Sequence, residues 1–418
     1  MKILLFGLFG CGNLGNDGSL EAMVTSLRRR LPDAEIVVTC YDAANVEPRL
    51  DVATLPLARS HTLSPRVSRL DRMLLRFPSR IVDLFAAVSA LGRSDMMIVP
   101  GTGFLDDYGE RFYGMPLTIF LWTLAARLVG TKIAFVSIGA GPIRNRLSRF
   151  LMLQAARLAH YRSYRDEISR SFMKSYGLDT SGDGVFPDLV FGLPAPGRAS
   201  PQRAPGEKLT VGVGVMNYSG WKRFGPEGGA IYTRYVDKLV AFVAWLLDQG
   251  HDVRLLTGEM NDQVAVDDVM KGVLAMHPDT ARSRIGSEPA YSLEDVLRQL
   301  SGTDIAVVSR FHNVVCAIMT EVPVVSLSYA PKNDVLLESV GLGEFREDIE
   351  QFKVERLKSR FLALAAEREA HAVILQRRFS DFRESLLSQE DAIFAMVSAA
   401  APMEVGASGT LARKAAPD

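Results

Sequence analysis

Unbroken apolar runs, not alternating ones, punctuate this chain. Lys2 to Phe6, Glu35 to Cys40, Asp95 to Val99 and Lys132 to Ile138 come first; Leu209 to Val215, Asp252 to Thr257, Asp304 to Ser309 and Pro323 to Ser328 follow. Runs of this kind read as strands buried on both faces, the signature of a parallel sheet. Between them lie stretches with helical spacing, among them Met115 to Val129 and Tyr232 to Leu247. Strand and helix in alternation predict an α/β fold of two Rossmann-like parallel-sheet domains facing a cleft. The 418 residues exceed what one hydrophobic core usually serves.

A segment rich in Pro, Gly and Ala between Gly192 and Lys208 reads as the linker. The expected organisation is therefore a domain over 1–195, a second over 205–350, a helical segment over 351–398 and a flexible tail over 399–418. One long charged helix is expected from Val354 to Leu387.

Composition narrows the functional classes. Lys plus Arg and Asp plus Glu number 48 each, so no global field draws the chain to nucleic acid and anion binding must be local. Cys11, Cys40 and Cys316 are far apart and form no Cys-x-x-Cys pair, so neither a disulfide framework, a structural metal nor a bound cofactor is expected, and a reducing cytoplasm fits. The N-terminal apolar run is too short for a signal peptide, and Met115 to Val129 is interrupted by Thr118, Thr123 and Arg127. It falls short of the roughly 20 residues that span a bilayer.

Chemistry is expected where strands end. Gly10-Cys11-Gly12-Asn13-Leu14-Gly15 matches a dinucleotide fingerprint, but Asp42 lies 27 positions beyond Gly15 (42 − 15), longer than the usual spacing of about 20. The preferred reading is a polar turn of Asn13, Gly15, Asn16 and Asp17, with Asp17 or Ser19 capping the next helix. After Asp304 to Val308 comes Ser309-Arg310-Phe311-His312, which places an arginine fork and a proton carrier at a helix mouth where anions bind. Tyr329-Ala330-Pro331-Lys332 brings a further cation to the same sheet edge. In the first half, Gly101-Thr102-Gly103-Phe104-Leu105-Asp106-Asp107 offers a flexible turn and two carboxylates. Ser163-Tyr164-Arg165-Asp166 sets Arg165 at another helix mouth, with Asp166 as the cap. Each element also has a plain structural reading as a cap or an ion pair.

Together these motifs, with Ser137-Ile138-Gly139-Ala140-Gly141-Pro142 and Val322-Pro323-Val324-Val325-Ser326-Leu327-Ser328, resemble the polysaccharide pyruvyl transferase family over roughly residues 3 to 343. The resemblance implies a GT-B-like fold and transfer of a pyruvyl group from phosphoenolpyruvate to sugar hydroxyls, forming a ketal. It also implies that Arg165, Arg310 and His312 meet the donor with an Asp nearby. Where many members have Gly-Gly-Gly and a single Asp, this chain has Gly101-Thr102-Gly103 and adjacent Asp106 and Asp107; Asp107 is the favoured base. Arg165, Arg310 and Lys332 are then the anion clamp and His312 the acid, with Asn13, Asn16, Gly103 and Ser309 as further substrate neighbours. The acceptor is a sugar or lipid-linked oligosaccharide. The competing readings are a GT-B nucleotide-sugar glycosyltransferase and a non-catalytic sugar- or phosphate-binding protein. Arg59, Arg66, Arg69, Arg72, Arg76 and Arg80, opposed only by Asp71, outline a basic amphipathic helix suited to peripheral contact at the inner membrane face or to an ordinary solvated surface. No motif speaks to oligomeric state.

Overall fold

In the computed structural model, residues 1–57, 71, 77–107, 110–200, 203–204, 206–220 and 227–398 are described. Two sheets organise the chain, and every strand pair in them is parallel. The first is built from β1 (Lys2–Leu5), β2 (Glu35–Cys40), β3 (Ala53–Pro56), β4 (Met96–Pro100), β5 (Lys132–Ile138), β6 (Tyr161–Tyr164) and β7 (Gly184–Val185) in the order β3-β2-β1-β4-β5-β6-β7. The helices that connect them include α1 (Leu14–Arg30), α2 (Phe77–Leu91), α3 (Met115–Leu128), α4 (Arg146–Leu158) and α5 (Glu167–Ser175).

The second sheet contains β8 (Thr210–Gly214), β9 (Asp252–Leu256), β10 (Ile285–Ser287), β11 (Ile305–Val308), β12 (Val324–Ser328) and β13 (Arg346–Asp348) in the order β10-β9-β8-β11-β12-β13. Its helices include α6 (Gly228–Asp248), α7 (Gln263–Met276), α8 (Leu293–Ser301), α9 (Phe311–Met319) and α10 (Pro331–Ser339). Both sheets reverse their winding beside the first strand, between β1 and β4 and between β8 and β11. Open α/β sheets bind ligands outside the strand ends at such switch points. The strands are apolar because helices cover both faces: β4, β11 and β12 are buried at every residue.

Two expectations are corrected. The first Gly-rich loop does not wait for Asp17 or Ser19: α1 already starts at Leu14, and Asn13 caps it, its Oδ1 accepting from the amides of Gly15 and Asn16 at 3.1 Å each. Asp17 turns back to accept from the Gly10 amide at 2.8 Å. The single C-terminal helix is two, α11 (Val354–Ala366) and α12 (Arg368–Ser398), separated at Glu367.

Helix α12 returns to the first domain. Its Gln389, 1% exposed, donates to Ser137 Oγ at 3.1 Å and Ser163 Oγ at 2.8 Å, while Glu390 pairs with Arg29 at 2.6 Å. Phe382 packs on Phe191, ring centroids 4.8 Å apart. The linker is held too: Asp304, fully buried at the start of β11, accepts from the Thr210 amide at 2.7 Å and pairs with Arg203 at 3.0 Å. These ties restrain how the domains face one another. Of the expected basic helix, Arg59, Arg66, Arg69, Arg72 and Arg76 lie outside the described residues, as does 399–418. Arg80 is described, and bonds Thr118 at 3.0 Å. Among the described residues no helix is long and apolar enough to cross a membrane.

Candidate active site at the domain interface

Strand β11 is followed by Ser309, fully buried, whose Oγ lies 2.8 Å from the Tyr235 hydroxyl and whose carbonyl accepts from Asn333 at 3.1 Å. Arg310 is the second residue beyond the strand and the N-cap position of α9. Its fork does not face open space. Nε donates to Asp262 Oδ2 at 3.0 Å, Nη2 to Asp262 Oδ1 at 2.6 Å, and Nη2 sits 2.8 Å from Glu259 Oε2. The expected anion clamp is therefore closed on protein carboxylates. The cause is Asp262, which is fully buried and also accepts from the amides of Asn217, Gly258 and Glu259; a carboxylate so far from water requires a cation. Burial alone would favour loss of the Arg310 charge, but Asp262 and Glu259 outweigh it and hold the guanidinium more firmly protonated than usual.

His312, one step into α9, meets the first domain. Its Nε2 is buried without a hydrogen-bond partner and lies 3.7 Å from Asp188 Oδ2. Its Nδ1 faces Gly15: a Cβ on Gly15 would stand 1.9 Å from it. Asp188 follows β7 and is 2% exposed. It caps the short helical turn Leu189–Gly192, Oδ1 accepting from the Val190 amide at 3.1 Å. Its Oδ2 also receives Arg165 Nη1 at 3.3 Å. Burial would raise the Asp188 carboxyl, yet His312, Arg165 and the Val190 amide together hold it well below the usual carboxylate range.

Arg165 leaves β6 as Asp166 caps α5, Oδ1 of Asp166 accepting from the Ser169 amide at 2.7 Å. The Arg165 guanidinium stacks 4.6 Å from the Phe311 ring centroid. Lys332, at the start of α10, places its ammonium 5.3 Å from the same centroid and 5.0 Å from that of Tyr329. No ion pair engages Lys332 among the described residues. A cation from each domain thus converges on Phe311, beside His312.

The Gly101 turn lies at the end of β4. Gly101 and Thr102 are left-handed, at φ 58° and 69°, and a Cβ on Gly101 would sit 2.7 Å from Ser19 Oγ. Gly103 is half-buried in this turn. Asp107 is 3% exposed, and its Oδ2 accepts from the amides of Arg144 at 2.8 Å and Asn145 at 3.0 Å. The favoured base therefore holds the loop that leads into α4. Half-buried Asp106 instead lies over Gly141, where a Cβ would come within 2.0 Å of its Oδ2. Asn13 spends its second function on the other domain, Nδ2 donating to Glu259 Oε1 at 2.8 Å. Asn16 donates to the Leu8 carbonyl at 3.3 Å. The structure thus brings Arg165, His312 and Lys332 together around Phe311, with Arg165 itself paired to Asp188 and Asp166, and gives Arg310, Asp107, Asn13 and Asn16 internal partners.

Asp188 is the neighbour that sequence reasoning missed; Gly15 reads in the sequence as part of a polar turn, without its contact to His312. Pro187-Asp188 after a two-residue strand is a readable turn signal. Nothing in the sequence ties it to His312. Among the described residues no three His, Cys, Asp or Glu side chains cluster as metal ligands.

Similarity to known proteins agrees with this architecture. No curated protein sequence matches the chain. Among solved structures, a putative UDP-N-acetylglucosamine 2-epimerase from Listeria monocytogenes is similar at TM-score 0.57 and 13% identity, covering 90% of each chain. A glycosyltransferase from Rickettsia africae is similar at TM-score 0.57 and 10% identity, covering 95% of this chain and 98% of its own. UDP-GlcNAc 2-epimerase from Methanocaldococcus jannaschii is similar at TM-score 0.57 and 11% identity, over 87% and 92%. At such identities the likeness concerns the fold, which is GT-B-like. A family model described as polysaccharide pyruvyl transferase matches residues 13–331, and the chain belongs to the polysaccharide pyruvyl transferase family.

Proposed function

We propose that the protein transfers a pyruvyl group from phosphoenolpyruvate to hydroxyls of a sugar in a cell-surface or exopolysaccharide precursor, in the cytoplasm. The observation that carries this reading is the meeting of Arg165 and Lys332 over Phe311, next to His312. Phosphoenolpyruvate bears a carboxylate and a phosphate, and two cations of different geometry suit it: a planar fork and a mobile point charge. Arg310, closed on Asp262 and Glu259, shapes the turn instead of contacting the donor.

In the proposed reaction His312 gives a proton to the methylene carbon, which becomes a methyl group and leaves the central carbon electrophilic. A sugar hydroxyl oxygen bonds to that carbon, and its proton passes to Asp106, the half-buried acid whose carboxylate lies over Gly141. The carbon–oxygen bond to phosphate breaks with its electron pair on phosphate. A second hydroxyl closes the ketal, and one of the two hydroxyl protons leaves on phosphate while the other replaces that given by His312. Atoms and charge balance without a redox step.

The test is incubation with phosphoenolpyruvate and sugars that carry paired hydroxyls, following phosphate release and the acceptor's mass. Stoichiometric phosphate with a product heavier by one pyruvate less one water is expected, and His312→Gln should abolish turnover while donor affinity stays within a few fold. Sugar transfer from a nucleotide sugar with no phosphate released from phosphoenolpyruvate would overturn the proposal in favour of a glycosyltransferase.

A further inference from the structure

We infer that Asp188 is a positioning residue for His312: it holds the ring proton on Nε2, so that Nδ1, on the Gly15 side, is the nitrogen that exchanges a proton with the reacting carbon. The inference rests on the proposed transfer only for the identity of that carbon. Three observations carry it.

The first is the environment of Nε2. That atom is buried and has no hydrogen-bond partner, and Asp188 Oδ2 at 3.7 Å is its charged neighbour. The second is the rigidity of the carboxylate. Oδ1 is pinned by the Val190 amide at 3.1 Å, which directs Oδ2 between Arg165 and His312. The third is the opposite edge of the ring. That edge packs on Gly15, where a Cβ would stand 1.9 Å from Nδ1 and 2.0 Å from Cε1, so the absence of a side chain at Gly15 is what lets the ring sit in this orientation.

The chemistry follows from which nitrogen faces which group. An imidazolium that loses its Nδ1 proton becomes the neutral ring with the proton on Nε2, the form a carboxylate at Nε2 stabilises. Asp188 would thus select that tautomer of the neutral ring, attract the imidazolium that precedes it, and stay ionised itself. The same oxygen contacts Arg165, so one carboxylate orients the proton carrier and one of the two cations over Phe311. Nothing places Asp188 against the donor, and its effect passes through its neighbours.

The test uses the full-length protein labelled with 15N in its histidine rings, with inorganic phosphate present as an anion probe. His312 resonances are identified by their loss in His312→Gln. The wild type should show a downfield ring N–H proton correlated to Nε2, with Nδ1 unprotonated once the ring is neutral, and Asp188→Asn should lose that signal. A proton on Nδ1, or an unchanged Nε2–H signal in Asp188→Asn, overturns the inference. In turnover assays Asp188→Asn should lower kcat roughly 100-fold or more with the phosphoenolpyruvate KM changed less than about threefold, and Asp188→Glu should restore part of the loss. Parallel losses of donor affinity and melting temperature, with kcat retained, would reveal a structural role only and overturn it as well. The ring spectrum is read without any acceptor, so a failure of the pyruvyl-transfer reading leaves this assignment independently testable.

Discussion

Replacing Gly15 by Ala perturbs one contact and little else. Gly15 is the second residue of α1, and its backbone is outside the left-handed region, so a methyl group there brings no backbone strain. Alanine favours a helix over glycine by up to about 1 kcal/mol. The new Cβ would, however, stand 1.9 Å from Nδ1, 2.0 Å from Cε1 and 2.4 Å from Cγ of His312, whereas ordinary contact begins near 3.4 Å. The ring must therefore retreat by 3.4 − 1.9, about 1.5 Å. It can swing within its own site, or α1 and α9 can separate and loosen the 2.8 Å bond from Asn13 to Glu259.

Either response misplaces the proton carrier by more than the roughly 1 Å that can cost 10²-fold in rate. The expected result is a kcat about 100-fold below wild type, with a melting temperature changed by no more than about 3 °C, the scale of 1 kcal/mol in a domain this size. Steady-state phosphate release and differential scanning fluorimetry measure the two. Gly182→Ala, a site with nothing within 4 Å, is the control and should leave both unchanged. Wild-type turnover in Gly15→Ala would refute the reasoning, because a ring that can move so far without consequence is not the proton donor.

Lys332→Ala should raise the phosphoenolpyruvate KM roughly 10- to 100-fold, the worth of a charge-assisted bond, with the melting temperature unmoved; an unaltered KM would put the ammonium outside the donor site. Arg310→Ala should cost about 3–5 kcal/mol in urea unfolding, because it leaves the fully buried Asp262 without its cation; a loss below about 1 kcal/mol would show that the three backbone amides suffice. Asp188 carries a pH dependence. Despite its burial, its neighbours hold its folded carboxyl below the usual range, so the stability it lends is complete above the unfolded value near ~3.9 and is lost as pH falls below that value toward the folded one. The melting-temperature gap between wild type and Asp188→Asn should thus be widest near neutrality and narrow on acidification, and a gap independent of pH would contradict the electrostatic account.

What the sequence disclosed follows from the range of the forces involved. Strands β2 and β5 were legible to the residue, because a strand buried on both faces must be apolar throughout, and the Gly-bearing turns at the switch points were legible from the residue types alone. The cap of α1 was not, since Gly12-Asn13-Leu14-Gly15-Asn16-Asp17-Gly18-Ser19 offers several suitable side chains and only the observed helix start selects Asn13. Arg310 illustrates the harder case. An arginine at a helix mouth reads alike whether its fork receives a ligand or a carboxylate 48 positions away, and burial of Asp262 decides it. The resemblance named Arg165 and His312 separately; that one buried carboxylate, Asp188, serves both depends on packing the exit of β7 against α9 across the domain interface. No periodicity carries information of that kind. Individual groups can therefore be read from motifs, whereas the division between those that face a substrate and those that hold one another depends on tertiary pairing, and the Asp188–His312–Gly15 contact is where that pairing bears most directly on the chemistry.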